Sequence, residues 1–490
     1  MEAGEEFKKY IEKTGEVGYI IYCSDPIVYL SGLPSLRMGE AVISEDGERG
    51  MVYGLDRGKA GILMFETEKI EAAKKMARTD DFLKIPISQS LLGRIINPLC
   101  LPLDKLGPVS GEKKHLPVQQ KSIGITQRVK ISEPLETGVM MVDLLVPLGF
   151  GQRETVIGDA KTGKTGFLLQ TISNQVKKGT ICIYVGIGKE SPTLKSVESY
   201  LKEMNVFDKT IMMITTSNQS PTLHYLAPFS GMAIAEYFRD QGKKVIIVFD
   251  DFTTHAKAYR EVSLLLKRAP GREAYPGDVF HIHATLVERA GRFRTLEDKE
   301  ASITAFPVAE TLENDISGFI QTNLLGMTDG HIFFDIDEFK KGRMPAINAF
   351  LSVSRVGNQT RKSLNKDLVD KIKKRMVSYR KVLEVAQFGS ELSKENKQIL
   401  DLGGKIESLF MQDFKTLIPL PVQLLLFGLL FSGFWKDVSR KAMEEEVVKL
   451  LKKFEKDGFV EIEKKIEKMK NAEDLKEFCE EIGPELEKLL

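Results

Sequence analysis

The sequence predicts a multidomain chain of three parts: a small N-terminal β-barrel, a central α/β domain on a parallel sheet, and a C-terminal α-helical bundle. Three observations predict it. Short β-rich runs, closely spaced between turn signals, fill the stretch from Gly18 to Phe65. From about Leu91 to Asn365 apolar strand-like runs alternate with helical patterns, and beyond Asp367 the pattern is helical. We place the boundaries at 1-90, 91-366 and 367-490. The length of 490 residues agrees, since a protein of this size holds about three domains, each burying its own core.

The barrel rests on Gly18-Tyr-Ile-Ile-Tyr22, Gly39-Glu-Ala-Val-Ile43, Gly50-Met-Val-Tyr53 and Gly61-Ile-Leu-Met-Phe65, separated by turns such as Ser24-Asp-Pro26, Ser31-Gly32 and Glu45-Asp-Gly47. The central sheet rests on Glu154-Thr-Val-Ile157, Thr180-Ile-Cys-Ile-Tyr-Val185 and Lys244-Val-Ile-Ile-Val-Phe249. Runs of this kind suit parallel strands covered on both faces by helices. The bundle is read as helices over Leu368 to Ala386, Lys394 to Met411 and Pro421 to Trp435, then a Lys/Glu-rich end from Arg440 to Leu490. Within it, Leu417 to Trp435 is the most apolar stretch. It is interrupted by Pro419, Pro421, Gln423, Gly428 and Gly433 and falls short of the ~20 residues that span a bilayer, so a buried helix is expected and no direct membrane span. The charged run Glu444-Glu-Glu-Val-Val-Lys-Leu-Leu-Lys452 reads as an amphipathic helix with a solvated face.

Composition removes several function classes. Lys and Arg number 70 against 69 Asp and Glu, a net charge of +1 that leaves no basic footprint for nucleic acid or an anionic membrane. With 42% hydrophobic and 28% charged residues the protein is globular rather than disordered. Cys23, Cys100, Cys182 and Cys479 lie far apart with no C-x-x-C pair, which predicts reduced structural thiols instead of a disulfide framework or zinc site. The acidic start Met1-Glu-Ala-Gly-Glu-Glu-Phe7 has no apolar stretch of the kind a secretion signal needs, and the protein is expected to stay inside the cell.

The chemistry is concentrated in one loop. Gly158-Asp-Ala-Lys-Thr-Gly-Lys164-Thr165 matches G-x-x-x-x-G-K-[ST] between the strand-like Thr155-Val-Ile157 and the helix-like Gly166-Phe-Leu-Leu-Gln-Thr171, the context a P-loop (Walker A) requires. Gly158 and Gly163 let the backbone wrap so that N–H groups of Asp159, Ala160, Lys161 and Thr162 can face phosphates. Lys164 would reach the β- and γ-phosphates of ATP or ADP, and the Thr165 hydroxyl would hold Mg²⁺. A second strand, Val245-Ile-Ile-Val-Phe249, ends in Asp250-Asp251. Asp250 is the expected acidic partner of the Mg²⁺ and Asp251 the expected helix cap.

At these residues the sequence resembles the α subunit of F-type ATP synthase. The resemblance is carried by Pro221-Thr-Leu-His-Tyr-Leu-Ala-Pro-Phe-Ser-Gly231, Glu236-Tyr-Phe-Arg-Asp240, Ala258-Tyr-Arg-Glu-Val-Ser-Leu-Leu-Leu-Lys-Arg268 and Pro270-Gly-Arg-Glu-Ala-Tyr-Pro-Gly-Asp-Val-Phe280. Supporting matches include Glu133-Pro-Leu-Glu-Thr-Gly138, Pro345-Ala-Ile-Asn348, Leu351-Ser-Val-Ser-Arg-Val-Gly357 and Ala386-Gln-Phe-Gly-Ser-Glu-Leu392. It covers about residues 15 to 435 and fades in the last ~50. It implies a β-barrel, a RecA-like P-loop domain and a helical bundle, in agreement with the reading above.

The resemblance also distinguishes the two subunit types of that family. In the catalytic β-type a Glu follows Gly at the end of the strand after the P-loop helix and polarises the attacking water; here Val185-Gly-Ile-Gly188 is followed by Lys189. An ammonium cannot accept a proton. The neighbouring Glu190 would have to turn in to serve as a substitute. The implied subunit binds nucleotide without hydrolysing it well. Arg355 matches the arginine that crosses to the neighbouring β subunit, where a planar, permanently charged guanidinium stabilises charge on the transferring phosphoryl group. Tyr275 resembles the segment lining the opening for the rotor, and Gln387 to Leu392 the bundle side facing shaft and membrane sector. The implied partners are a catalytic beta-type subunit in an alternating hexamer, a central gamma-type shaft and a delta-type peripheral stalk. The implied setting is peripheral, on the cytoplasmic side of the cell membrane, with synthesis or hydrolysis coupled to proton or sodium transport.

Departures from the family pattern are local. Ala160 and Lys161 stand where the family has Arg and Gln, which adds a cation beside the phosphates with an effect on affinity of either sign. Met344 stands where the family has an Arg near the nucleotide base, with Arg343 one place earlier, and Gln412 falls in the same expected neighbourhood. Cys100 replaces a turn Gly, Lys74-Lys-Met-Ala-Arg78 replaces a Gly-Asp loop, and the stalk-gripping helix before Gly15 is short or missing. Two alternatives stay open on sequence: a divergent F-type-like motor not dedicated to ion transport, and a self-sufficient homohexameric ATPase of the flagellar or secretion type. The latter would retain the catalytic Glu.

Overall fold

The computed structural model describes residues 3–66, 70–295, 297–387, 393–457 and 460–487. The protein divides into two compact units. One comprises Met1–Lys130, Phe150–Ile157 and Val176–Asp329; the other Ile131–Gly149, Gly158–Gln175 and Gly330–Leu490.

The first unit begins with a helix, Ala3–Thr14, 12 residues long, so a short helix does precede Gly15. Its Phe7 packs with Ile43 and Ala77 on the outside of a closed six-stranded barrel. The strands run in the order Gly18–Ser24, Ile27–Ser31, Lys59–Met64, Arg49–Asp56, Glu40–Ser44 and Lys75–Phe82, the last pairing back to the first. Alternate residues such as Ile20, Val28, Val42, Val52, Ile62 and Met76 fill the interior, as the period-two geometry of strands requires. Two strands extend the sequence reading. Ile27–Ser31 follows directly on the Ser24-Asp-Pro26 turn, and Lys75–Phe82 hides its strand character behind charge: its Arg78 is buried in an ion pair with Glu40 at 2.8 Å.

The same unit holds a parallel sheet in the order Glu154–Asp159, Glu300–Thr311, Lys244–Asp250, Ile181–Lys189, Thr210–Thr216, Ile95–Ile96, with Gly291–Arg294 antiparallel on Glu300–Thr311. Ile181–Lys189 and Lys244–Asp250 are buried along nearly their whole length, which is why their sequences read as continuous apolar runs. In their parallel register Gly186 stands opposite Asp250. The helix Pro221–Arg239 is almost wholly buried, and its Glu236 pairs with buried Arg289 at 2.6 Å.

The second unit contains most of the helix Lys164–Lys177, up to Gln175, and a short antiparallel pair, Gly330–Phe334 with Val353–Ser354. Its larger part is helical: Ser363–Gln387, Lys394–Phe410, Leu420–Ser432, Arg440–Asp457, Val460–Lys468 and Ala472–Glu487. The apolar Leu420–Ser432 is a buried helix ended by Gly433 at φ 90°, the left-handed conformation that glycine adopts without a Cβ penalty. Gly428 lets it approach Ala472–Glu487 closely: a Cβ there would lie 2.7 Å from the Cys479 sulfur. The charged C-terminal end therefore supplies core, through Leu475, Cys479 and Leu486, as well as a solvated face. Among the described residues no helix is long and apolar enough to cross a membrane.

Candidate functional site

The P-loop folds as its spacing requires. Strand Glu154–Asp159 runs into the loop, and the helix starts at Lys164. Gly158 has φ 156°, and a Cβ on it would run into the Phe334 carbonyl oxygen and lie 2.7 Å from Phe334 Cβ, so only glycine fits there. Lys161 at φ 65° and Gly163 at φ 102° turn the backbone through the left-handed region. Thr162 Oγ1 donates to the Asp159 carbonyl at 2.7 Å and closes the loop on itself. The buried Lys164 ammonium donates to the carbonyls of Gly158 (2.8 Å) and Asp159 (2.6 Å), which holds it within the loop. Ala160 and Lys161 are exposed at the tip and Thr165 is half-buried in the first helical turn. An anion-accepting backbone with a lysine inside it suits the phosphates of a nucleotide.

Gln412 is buried in the second unit, and its side-chain amide is engaged by backbone. Its Nε2 donates to the carbonyls of Gly138 and Thr416, each at 2.7 Å, and its Oε1 accepts from the Met140 N–H at 3.0 Å. It pins the segment before Met140–Leu145 to the loop after Lys394–Phe410. Met344 is exposed, whereas Arg343 is held by Glu338 and, at 2.6 Å, by Glu407.

Arg355 is exposed, on a turn fixed from both sides. Ser354 Oγ donates to the Pro147 carbonyl at 2.6 Å and accepts from the Gly357 N–H at 3.2 Å. A Cβ on Gly357 would collide with the same Pro147 carbonyl, so backbone meets backbone there.

In the first unit, the end of strand Lys244–Asp250 carries the charged cluster. Asp250 and Asp251 are both buried. Asp251 caps the helix Phe252–Leu265, accepting from the Thr254 N–H at 2.6 Å and the Thr254 hydroxyl at 3.1 Å. Lys189 Nζ lies 2.7 Å from Asp250 Oδ1 and 2.7 Å from Asp251 Oδ2. The Tyr184 hydroxyl donates to Asp250 Oδ2 at 2.6 Å. Burial opposes charge on Lys189, but the two carboxylates outweigh it and raise its pKa above the ordinary lysine value. Burial and the Asp250 carboxylate push the Tyr184 phenol up as well, so it remains a donor. Glu190, by contrast, is exposed at the N-cap position of Ser191–Glu203, with no side-chain capping bond.

The same arrangement is a poor seat for a divalent cation. Asp250 has one oxygen engaged by an ammonium and the other by a phenol, and a hydrated Mg²⁺ beside it would face Lys189. The donor set does not fit a metal as it stands. Among the described residues no group of three or more His, Cys, Asp or Glu is placed to hold one either.

Sequence reasoning singled out Lys189 for the base it lacks but not for the pair it neutralises, and it missed Tyr184 and Thr254. The parallel pairing that sets Gly186 against Asp250 is what brings Lys189, three residues on, to the Asp250-Asp251 end of the neighbouring strand. Tyr275 is buried, its ring 6.1 Å from that of Phe319 and under the Arg260 guanidinium at 4.7 Å. Of Gln387 to Leu392, residues 388–392 lie outside the described residues.

A P-loop between the strand Glu154–Asp159 and the helix Lys164–Lys177, preceded in the sequence by a six-stranded barrel and followed by a helical region, is the arrangement of a P-loop nucleotide-binding protein. Comparison with known proteins gives the family. Residues 138–354 match the nucleotide-binding domain of the ATP synthase alpha/beta family, and residues 361–482 match the C-terminal domain of the ATP synthase alpha/beta chain. The protein is 38% identical over 438 residues to ATP synthase subunit alpha of Acholeplasma laidlawii, a match that spans 89% of this protein and 87% of that one. It is 38% identical over 454 residues to the subunit alpha of Clostridium botulinum (strain Eklund 17B / Type B), spanning 92% and 88%. With that of Anaplasma phagocytophilum it shares 42% over 412 residues, spanning 82% and 81%. The chain belongs to the ATP synthase subunit alpha family. The C-terminal domain match runs to residue 482, well past the point near 435 where the resemblance fades to the eye.

Proposed function

We propose that this chain binds ATP or ADP without hydrolysing it and supplies Arg355 to the catalytic site of an adjacent beta-type subunit in an alternating hexameric ring. The observation that carries the reading is Lys189. Where a catalytic subunit needs a carboxylate to polarise water, this chain has an ammonium tied to Asp250 and Asp251 at 2.7 Å each. It is neither a proton acceptor nor free to become one. Gly158 to Lys164 provide the phosphate cradle, and Thr165 follows it. Membership of the subunit alpha family supports the remaining partners, a central gamma-type shaft and a delta-type peripheral stalk, and a peripheral place on the cytoplasmic side of the cell membrane, where the ring is coupled to proton or sodium transport.

The role of Arg355 is electrostatic. Charge that develops on a transferring phosphoryl group is stabilised by a guanidinium already held in place, and the clamped turn Ser354 to Gly357 provides that preorganisation. The test is reconstitution with the beta-type subunit from the same genome, comparing wild type and Arg355→Ala. Hydrolysis by the mixture should fall by about a hundredfold or more, with the thermal unfolding of the protein unchanged because the side chain is exposed. An unchanged rate would remove Arg355 from the catalytic account. A self-sufficient ring would instead have to recruit Glu190 as its base, and the isolated subunit would then turn over ATP.

A further inference from the structure

The phosphate loop shares one compact unit, Gly158–Gln175 with Ile131–Gly149 and Gly330–Leu490, with the segments packed on its helix. A nucleotide whose phosphates lie against Gly158 to Thr165 carries its sugar and base onward from the α-phosphate, beyond the residues that hold the phosphates. The segment 411–416 is fixed beside the first turns of that helix. Gln170 Nε2 donates to the carbonyls of Asp413 (3.1 Å) and Thr416 (3.0 Å). A Cβ on Gly166, the residue after Thr165, would lie 3.7 Å from Phe414 Cβ. Phe414 therefore stands next to the end of the phosphate loop, and it is 47% exposed. The Gln412 N–H donates to the Met344 carbonyl at 2.8 Å, which brings Met344, 40% exposed, alongside the same segment.

A surface that tells one base from another needs side-chain donors and acceptors set for the polar edge of that base. In this segment they are spent on the protein itself. Gln412 Nε2 donates to the Gly138 and Thr416 carbonyls and its Oε1 accepts from the Met140 N–H, all with the side chain buried. Gln170 is buried as well, its amide nitrogen shared between two carbonyls. Arg343 is held by Glu338 and Glu407. Asp413 Oδ1 accepts from the Lys415 N–H at 2.8 Å and closes the loop on itself. The Lys415 ammonium, 5.8 Å from the Phe414 ring centroid, only donates, so it offers nothing to the amino group that marks adenine. A phenyl ring and a thioether remain to meet the base. They give stacking and dispersion whatever the exocyclic groups are.

We infer that Phe414, with Met344 beside it, is the seat of the base, and that this site takes purine nucleotides without regard to their exocyclic groups, guanosine and inosine di- and triphosphates as well as adenosine ones. The inference rests on the nucleotide-binding reading proposed above and names the ligand class of that site. Gln412 is then a positioning residue: it fixes the backbone that carries Phe414 and does not itself read the base.

The test is equilibrium competition on the full-length protein in Mg²⁺, with ATP, GTP, ITP and inorganic tripolyphosphate displacing a ribose-labelled fluorescent ADP, for wild type and Phe414→Ala. Wild type should bind the three nucleotides within about fivefold of one another. Phe414→Ala should weaken all three together by at least about fivefold, the loss of one stacked ring, and leave tripolyphosphate, which has no base, unchanged. A preference of more than about fivefold for one purine over another in wild type overturns the inference, whether or not the variant folds. So does a Phe414→Ala protein with the circular dichroism of wild type and undiminished affinity for the nucleotides. If the labelled ADP does not bind wild type at all, the nucleotide-binding reading itself fails. A base preference among nucleotides that do bind leaves that reading standing.

Discussion

Lys189 and Asp250 form an ion pair of 2.7 Å at the end of a buried parallel strand, and the same ammonium holds Asp251. Removing the ammonium leaves two buried carboxylates in neighbouring positions with no opposite charge between them. Lys189→Ala should therefore lower stability by about 3 kcal/mol, the scale found when one partner of a buried pair is deleted. Urea unfolding of the two proteins side by side measures it. A loss below about 0.5 kcal/mol, the range of ordinary surface substitutions, would show that the pair is not formed in solution.

Gly158→Ala should weaken nucleotide binding while sparing the rest of the fold. The added methyl collides with the Phe334 carbonyl and comes within 2.7 Å of Phe334 Cβ, so either the loop or the strand end Gly330–Phe334 must move. A phosphate cradle displaced by about 1 Å loses its aligned N–H donors. Titration with a fluorescent nucleotide should show at least about a tenfold loss of affinity. Binding equal to wild type would mean that the phosphates sit elsewhere.

The buried histidines predict an acid limit on stability. His255 Nε2 faces the Tyr225 carbonyl at 3.1 Å, which only accepts, so that nitrogen carries the proton; its Nδ1 then accepts from His283 Nε2 at 2.9 Å. Both rings are buried and neutral. Burial, with the neighbouring His224 adding to it against the Tyr225 carbonyl and Asp251, pulls the His255 pKa down to about 4. The unfolded protein, titrating near 6.5, binds the proton first. The contribution of His255 is thus fully present above pH 6.5 and is lost as pH falls toward 4, by about 3 kcal/mol. Urea midpoints measured across that range should fall for wild type and flatten for His255→Gln. A midpoint that does not change between pH 6.5 and 4.5 would contradict the neutral pair.

Gly403 lies in Lys394–Phe410 against Tyr379 of Ser363–Gln387, and a Cβ there would come within 2.5 Å of Tyr379 Cβ, with the ring carbons crowding in as well. Two helices that meet over a glycine must separate to admit a methyl. Gly403→Ala should destabilise the helical unit by about 2 kcal/mol through overpacking, despite the better helix propensity of alanine. A higher melting temperature for the variant would mean that the two helices do not meet this closely.

Much of this was legible in the sequence, and the parts that were not share a cause. The P-loop could be read because its chemistry is coded by spacing along the sequence, and Asp251 could be read as a cap because capping is local. Four of the barrel strands show plainly. Lys75–Phe82 does not, because a buried arginine paired with a buried glutamate, Arg78 with Glu40, looks in sequence like surface charge. The Lys189 pair is a product of parallel register between segments some 60 positions apart, which no local pattern carries. The C-terminal helices were legible as amphipathic, but their share of the core was hidden behind the Lys and Glu of the solvated face.

The central claim is that this protein binds nucleotide without hydrolysing it. The most direct measurement is steady-state ATP hydrolysis by the purified subunit alone and after addition of its beta-type partner. The account predicts background turnover alone, since Lys189 offers no base, and robust turnover in the mixture, where the proposed role of Arg355 can be exercised. Sustained hydrolysis by the isolated subunit would contradict it and make Glu190, beside the Lys189 turn, the first residue to mutate.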